Sequence, residues 1–214
     1  MTQSLANGDD FIYEEMMVHP LFYTHPLLKN LALIGRDNSS LLGEISKHHT
    51  IQSIWLAKST VEANQTNNPH LNFFTGELTD WLSHMPKNSL DAVIVEDLNK
   101  TKEFSAAVYQ QFFDVLNSNG IFLQQSHSLF NTQEIKTVYQ ILRETGFEDL
   151  QIMHFPQPSY PSGSRTLLMA AKSGTFKRIR EKDIYNKTFA TRYYNYDTHK
   201  AALAMPEFVR EELA

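Results

Sequence analysis

The stretch Leu31 to Ser40, LALIGRDNSS, constrains the fold most. Four apolar residues run without alternation into Gly35, and a polar turn leads on to the periodic apolar positions Leu41, Leu42 and Ile45. An apolar run of this kind, bounded by turn residues, fits a strand buried on both faces, as in a parallel sheet covered by helices. Such a sheet holds its ligands outside the carboxyl ends of its strands, where the strand order reverses. The turn Gly35 to Ser40 is therefore the expected ligand-facing end of a first strand.

The rest of the chain repeats the pattern. Strand-like segments recur at Ile51 to Leu56, Leu71 to Thr75, Ala92 to Val95 and Ile121 to Gln124, with helical stretches between them at Ser105 to Leu116 and Thr132 to Thr145. The second helix has a polar cap at Asn131 or Thr132, apolar Ile135, Val138, Tyr139 and Leu142 at helical spacing, and Gly146 just past its end. Alternating strands and helices imply right-handed βαβ crossovers in a parallel sheet. Asp9 or Asp10 is placed to cap an earlier helix that begins near Phe11, carries Ile12, Met16 and His19 on one face, and ends before Pro20 or Pro26. Two late strands, Glu148 to Phe155 and Arg165 to Lys172, are joined by PQPSYPSGS with no helix between them, so they are expected to pair antiparallel at one sheet edge. Short helical pieces around His199 to Ala204 and Pro206 to Leu213 close the chain. The expectation is one α/β domain over residues 1–214, with the tail from about residue 176 packed onto it.

Composition narrows the function. A chain of 214 residues with 42% hydrophobic and 20% charged residues has enough apolar surface for one large core. The absence of cysteine excludes a disulfide scaffold, a thiol nucleophile and a thiolate metal site. The N-terminus lacks an apolar signal region and no run approaches a membrane span, so a cytoplasmic protein without membrane contact is expected. A net charge of −5 gives no attraction to nucleic acid, and the basic cluster Phe176 to Lys182 is broken by Glu181 and reads as a solvated loop face. The nine histidines show no ligand spacing, and no metal site is expected.

Several segments, in order, resemble the polyamine aminopropyltransferases, the spermidine synthase family. FIYEEMMVHPLFYTHP is similar to the family's FxYHEMLxHxPLFTHP, GIFLQQSHS to GIFxxQxES, PSYPSG to PTYPSG, and TRYYNYDTHKAALAMPEFV to TRYYNxxxHxAAFxLPxF; LALIGRDNSS stands where the family has a strand followed by GGGDGG. These segments reach from Phe11 to Val209. The resemblance implies a class I S-adenosylmethionine-dependent methyltransferase-like (Rossmann-like) sheet, mostly parallel with an antiparallel edge pair. It also implies transfer of an aminopropyl group from decarboxylated S-adenosylmethionine, a co-substrate and not a tightly bound cofactor, to a diamine such as putrescine.

By the same resemblance, Glu96 of VEDLNK stands at the place of the catalytic base, with Asp97 beside it, and Tyr13, Asn99, Gln125 and Tyr160 stand at amine-binding positions. Glu14, Gly35, Asp37, Asn38, Glu77 and Leu78 stand at donor-binding positions. A donor sulfonium beside an acceptor ammonium calls for carboxylates to hold both cations and to accept a proton, and for tyrosines to orient the amine.

The chain also departs from the family pattern. Arg36, Ser39 and Ser40 replace glycines that let backbone approach the donor, and Asn38 replaces an aspartate. Ala57 and Ser59, with Lys58 between them, stand in place of a second-strand acidic pair, Asn99 replaces an aspartate, Glu14 a histidine and His127 a glutamate. The family's N-terminal β domain is not expected in this chain. Weakened or altered transfer is one outcome of these exchanges. The other is a catalytically silent relative serving as a binding or interaction module, as a homodimer or with a full-length homologue, for an amine or nucleoside ligand.

Overall fold

The computed structural model describes residues 8–35, 39–57, 69–74, 76–96, 101, 104–176 and 178–213. In chain order the elements are α1 (Asp10–Thr24), β1 (Asn30–Ile34), α2 (Ser39–Ser46), β2 (Ser53–Ala57), β3 (Leu71–Phe74), α3 (Leu78–His84), β4 (Leu90–Val95), α4 (Ala106–Val115) and β5 (Leu116–Ser126). They continue with α5 (Thr132–Thr145), β6 (Asp149–Pro156), β7 (Ser164–Ala171), α6 (Glu181–Tyr185), α7 (Tyr196–Ala202) and α8 (Glu207–Leu213). The strands form one seven-stranded sheet in the order β3-β2-β1-β4-β5-β7-β6. The first five run parallel, whereas β7 pairs antiparallel with both β5 and β6. The α/β sheet with an antiparallel edge pair is thus the observed architecture, and its order reverses between β1 and β4.

The unalternating LALI run is explained by burial on both faces. Leu31 and Leu33 pack in the cluster formed with Met16, Met17, Leu21 and Tyr194, while Ala32 and Ile34 pack on the other face with Val93, Tyr109 and Phe112. Its N-terminal end is pinned by the buried carboxylate of Asp91, which accepts hydrogen bonds from the backbone N–H groups of Lys29 (2.8 Å) and Asn30 (2.7 Å) and from the Asn117 amide. Strand β5 begins at Leu116, five residues before the expected Ile121, because a register irregularity intervenes between the Leu90↔Leu116 and Ala92↔Ile121 pairs. Gly120 sits in that irregularity, and a Cβ there would come within 2.7 Å of Leu116 Cβ.

One local expectation is settled and two are corrected. Helix α1 runs through Pro20 and stops at Thr24, before Pro26. A proline inside a helix costs about 3 kcal/mol, but Met16, Met17, Val18, Leu21 and Phe22 are all buried along α1, and at about 1.5–3 kcal/mol each their burial outweighs it. Asp9 and Asn131 occupy N-cap positions, yet neither side chain bonds its own helix. Arg180, expected in solvent, docks on the C-terminal turn of α1: its backbone N–H donates to Tyr23 O (2.9 Å) and its Nη2 to Phe22 O, which are carbonyls the helix leaves without internal partners. Asp183 completes the contact at 2.6 Å from Arg180 Nη1. Among the described residues, no helix is long and apolar enough to cross a membrane.

Candidate active site

The carboxyl edge of the sheet brings distant segments together by register. Ile34 pairs with Val95 and Val95 with Gln124, so the residues that follow, Gly35, Glu96 and Gln125, lie side by side along that edge. The Glu96 backbone N–H donates to Ile34 O at 2.8 Å, carrying the β4 ladder one residue past the strand. Because β7 runs antiparallel, its first residues land at this same edge: Ser126 pairs with Thr166, and Arg165 follows in the opposite direction.

Four of the residues expected to bind or activate an amine converge here. Tyr13, 8% exposed on α1, directs its hydroxyl toward the Glu96 carbonyl at 3.5 Å. Gln125 is 6% exposed, and in the orientation that satisfies both ends of its amide Nε2 donates to the same carbonyl at 2.7 Å and Oε1 accepts from Arg165 Nη1 at 2.6 Å. Strand alternation sends the preceding Gln124 to the other face, where the Tyr109 hydroxyl of α4 donates to it at 3.0 Å. Tyr160 reaches the cluster from the loop between β6 and β7.

Arg165 ties these groups together, and it lies outside the segments that carry the family resemblance. Its guanidinium carbon lies 3.7 Å from the ring centroid of Tyr160 and 4.4 Å from that of Tyr13. Its Nε donates to Gln157 Oε1 at 2.7 Å. A lone cation opening an otherwise apolar strand, SRTLLMAA, was the available signal, and the antiparallel pairing of that strand sufficed to place it. The loop that carries Tyr160 is fastened at both ends. Ser159 donates through its backbone N–H (2.8 Å) and its hydroxyl to Asp9, and these bonds hold the Asp9 carboxyl below its usual range. Gln157 N–H donates to Gly163 O (3.0 Å), and Gly163 takes a positive φ of 71° to close the turn.

The residues expected to meet a donor are spread more widely. Gly35 is buried directly after β1. Glu14 lies half-buried on α1; burial pushes its carboxyl up, a hydrogen bond from Ser40 at the start of α2 pulls it down, and Glu44, Asp10 and Glu15 push it up again. Its neighbour Glu15 turns the other way and is buried, accepting from the backbone N–H groups of Arg192 (2.8 Å), Tyr193 (2.9 Å) and Tyr194 (2.7 Å). Glu77 is exposed at the N-cap of α3, where its carboxylate makes no bond to the helix, and Leu78 packs the first turn of α3 against the core. Asp37, Asn38 and Asn99, together with Arg36, Lys58 and Asp97, lie outside the described residues.

The family model for the spermine/spermidine synthase domain matches residues 10–182. The chain is 34% identical to the polyamine aminopropyltransferase of Methylococcus capsulatus, over 98% of its own length and 79% of that relative's. It is also 34% identical to the polyamine aminopropyltransferase of Thioalkalivibrio sulfidiphilus, over 98% and 80%. Among solved structures, a spermidine synthase from Thermotoga maritima matches with a TM-score of 0.84 at 24% identity, covering 96% of this chain and 75% of that one. A spermidine synthase in complex with the transition-state analogue AdoDATO matches with a TM-score of 0.83, at the same identity and coverage. These two likenesses show a shared fold, and a methyltransferase from Archaeoglobus fulgidus described as SAM-dependent matches more loosely, with a TM-score of 0.57 at 11% identity over 75% of this chain and 93% of that one. With the family match over most of its length and a third of its residues identical to aminopropyltransferases, the chain belongs to the spermine/spermidine synthase family.

Proposed function

We propose that the protein transfers an aminopropyl group from decarboxylated S-adenosylmethionine to an amine acceptor, with Glu96 as the proton acceptor. The convergence of Tyr13, Glu96, Gln125 and Tyr160 at the carboxyl edge carries this reading. In the step, the acceptor ammonium gives one proton to the Glu96 carboxylate. The freed nitrogen lone pair forms a C–N bond to the aminopropyl carbon next to the sulfonium, the C–S bond breaks, and its electron pair returns to sulfur. The products are the lengthened amine and neutral methylthioadenosine. The Tyr13 hydroxyl and the Gln125 amide both meet the Glu96 carbonyl, which fixes the backbone from which that carboxylate projects. Glu14 and Glu77 supply negative charge on the donor side.

Release of methylthioadenosine from decarboxylated S-adenosylmethionine and a panel of amines tests the reading. Glu96→Gln is expected to slow release by about 10²- to 10⁴-fold while leaving donor binding in place. No release by the wild-type chain with any amine contradicts it. A second reading, a silent relative that holds ligands without turnover, alone or beside a full-length homologue, draws support from Arg165, a protein cation already seated between the two tyrosines.

A further inference from the structure

Arg165 is held as a bound ammonium would be. Two aromatic faces flank its guanidinium at 3.7 and 4.4 Å, and two glutamine oxygens accept from it at 2.7 and 2.6 Å. Aromatic faces and amide oxygens are the neutral groups that stabilise an organic cation in a pocket. Gln125 and Gln157 are both buried, so the contacts to Nη1 and Nε are sheltered from water, and Gln157 is held in turn by Gly163 O through its backbone N–H. Tyr13, Tyr160 and Gln125 are the same groups that the amine-transfer reading assigns to the acceptor.

We infer that Arg165 determines acceptor specificity: it fills the place of a second substrate ammonium, so the acceptor is an amine carrying a single positive charge, with an uncharged far end. This rests on the transfer reading given above. A dication such as putrescine would bring its far ammonium against the guanidinium. Like charges about 5 Å apart at an effective dielectric of about 20 weaken binding on the order of a hundredfold before any rearrangement. Displacing Arg165 instead would strip two glutamine oxygens and two ring faces of their cation. A monoamine meets neither obstacle: its ammonium reaches Glu96 while its apolar chain lies along the arginine stem and the tyrosine rings.

Titration calorimetry with n-butylamine and putrescine, which share a four-carbon chain and differ in the second amine, tests this on the full chain. Wild-type protein is expected to bind n-butylamine at least about tenfold more tightly than putrescine, the part of the charge penalty that survives solvent screening. Arg165→Ala is expected to reverse the order and to bind free guanidinium ion, seen as a rise in its melting temperature. Arg165→Met keeps the apolar stem between the rings and is likewise expected to reverse the amine order, without guanidinium binding, should the alanine variant fail to fold. A wild-type preference for putrescine, an unchanged ratio in both variants, or no binding of either amine overturns the inference. Donor titration separates the two readings. Donor binding with a putrescine preference sinks the specificity role alone, whereas an intact monoamine preference without donor binding supports the cation slot and sinks transfer.

Discussion

At the proposed acceptor end of the site, Tyr13, Gln125, Gln157 and Tyr160 each contact Arg165, whereas at the proposed donor end Glu14 sits half-buried on α1 and Glu77 stands exposed at the start of α3. The acceptor groups meet one another through bonds internal to the protein and so contribute to the fold. The acids expected on the donor side come from separate elements, and the Glu77 carboxylate makes no bond to its own helix. Substitutions at the acceptor end should therefore register as stability changes even without ligand, and those at Glu77 should register only when a donor is present.

The largest expected effect falls on the helix that serves both ends. Glu15 is 2% exposed and satisfies three backbone N–H groups of the tail. Glu15→Ala leaves them buried without partners and should lower stability by about 4 kcal/mol in urea unfolding; a loss below about 1 kcal/mol would show that the tail is held by other contacts. Acid comes next. Burial pushes His48 down to about 2, with His19 adding to the effect, and His199 down to about 4. Both lie below the ordinary 6.5, so as pH falls the unfolded chain binds protons first. Their stabilisation is complete above that pH and is lost below it, by roughly 2 kcal/mol per histidine between pH 6.5 and 5. Both residues pack in the α1 and tail region away from Arg165, so the loss should be the same in Arg165→Met, and a different slope in that variant would join the two regions.

Within the acceptor end, Gln157→Leu removes the acceptor of Arg165 Nε from a site that is 1% exposed and should cost about 2 kcal/mol, read as a lower urea midpoint. The smallest effect belongs to the donor end. Glu77→Gln should change stability by less than about 0.5 kcal/mol while weakening donor binding. A large stability loss there would erase the contrast between the two ends.

Much of the fold was legible because burial on both faces leaves a plain mark. LALI, AVIV and IFL are unalternating apolar runs, and the missing helix between Glu148 and Lys172 gave away the antiparallel pair. Tertiary burial overrode local signals elsewhere. Pro20 lies inside α1 because the surrounding residues are buried, and Asp9 spends its carboxylate on Ser159 instead of its own helix. Helix α3, the five-residue α6 and the early start of β5 left no periodic signal long enough to read. The site divided in the same way. Tyr13, Glu96, Gln125 and Tyr160 were singled out by motif and lie together, but Arg165 fits no motif, and its place depends on a cross-strand register that brings residue 165 beside residues 13, 125 and 160. Pairing of His19 with His48 at 2.9 Å and with Glu44 at 3.0 Å was likewise invisible, since the partners come from successive helices and the turn after them.

Titration of decarboxylated S-adenosylmethionine, with methylthioadenosine alongside, into the full chain tests the central claim most directly, because every step of the proposed transfer requires the donor at the carboxyl edge. The account predicts one saturable site per chain with a dissociation constant below about 1 mM, the upper end of ordinary enzyme substrate affinities, weakened by Glu77→Gln and unchanged by Arg165→Met. No heat from either nucleoside at millimolar concentration contradicts it.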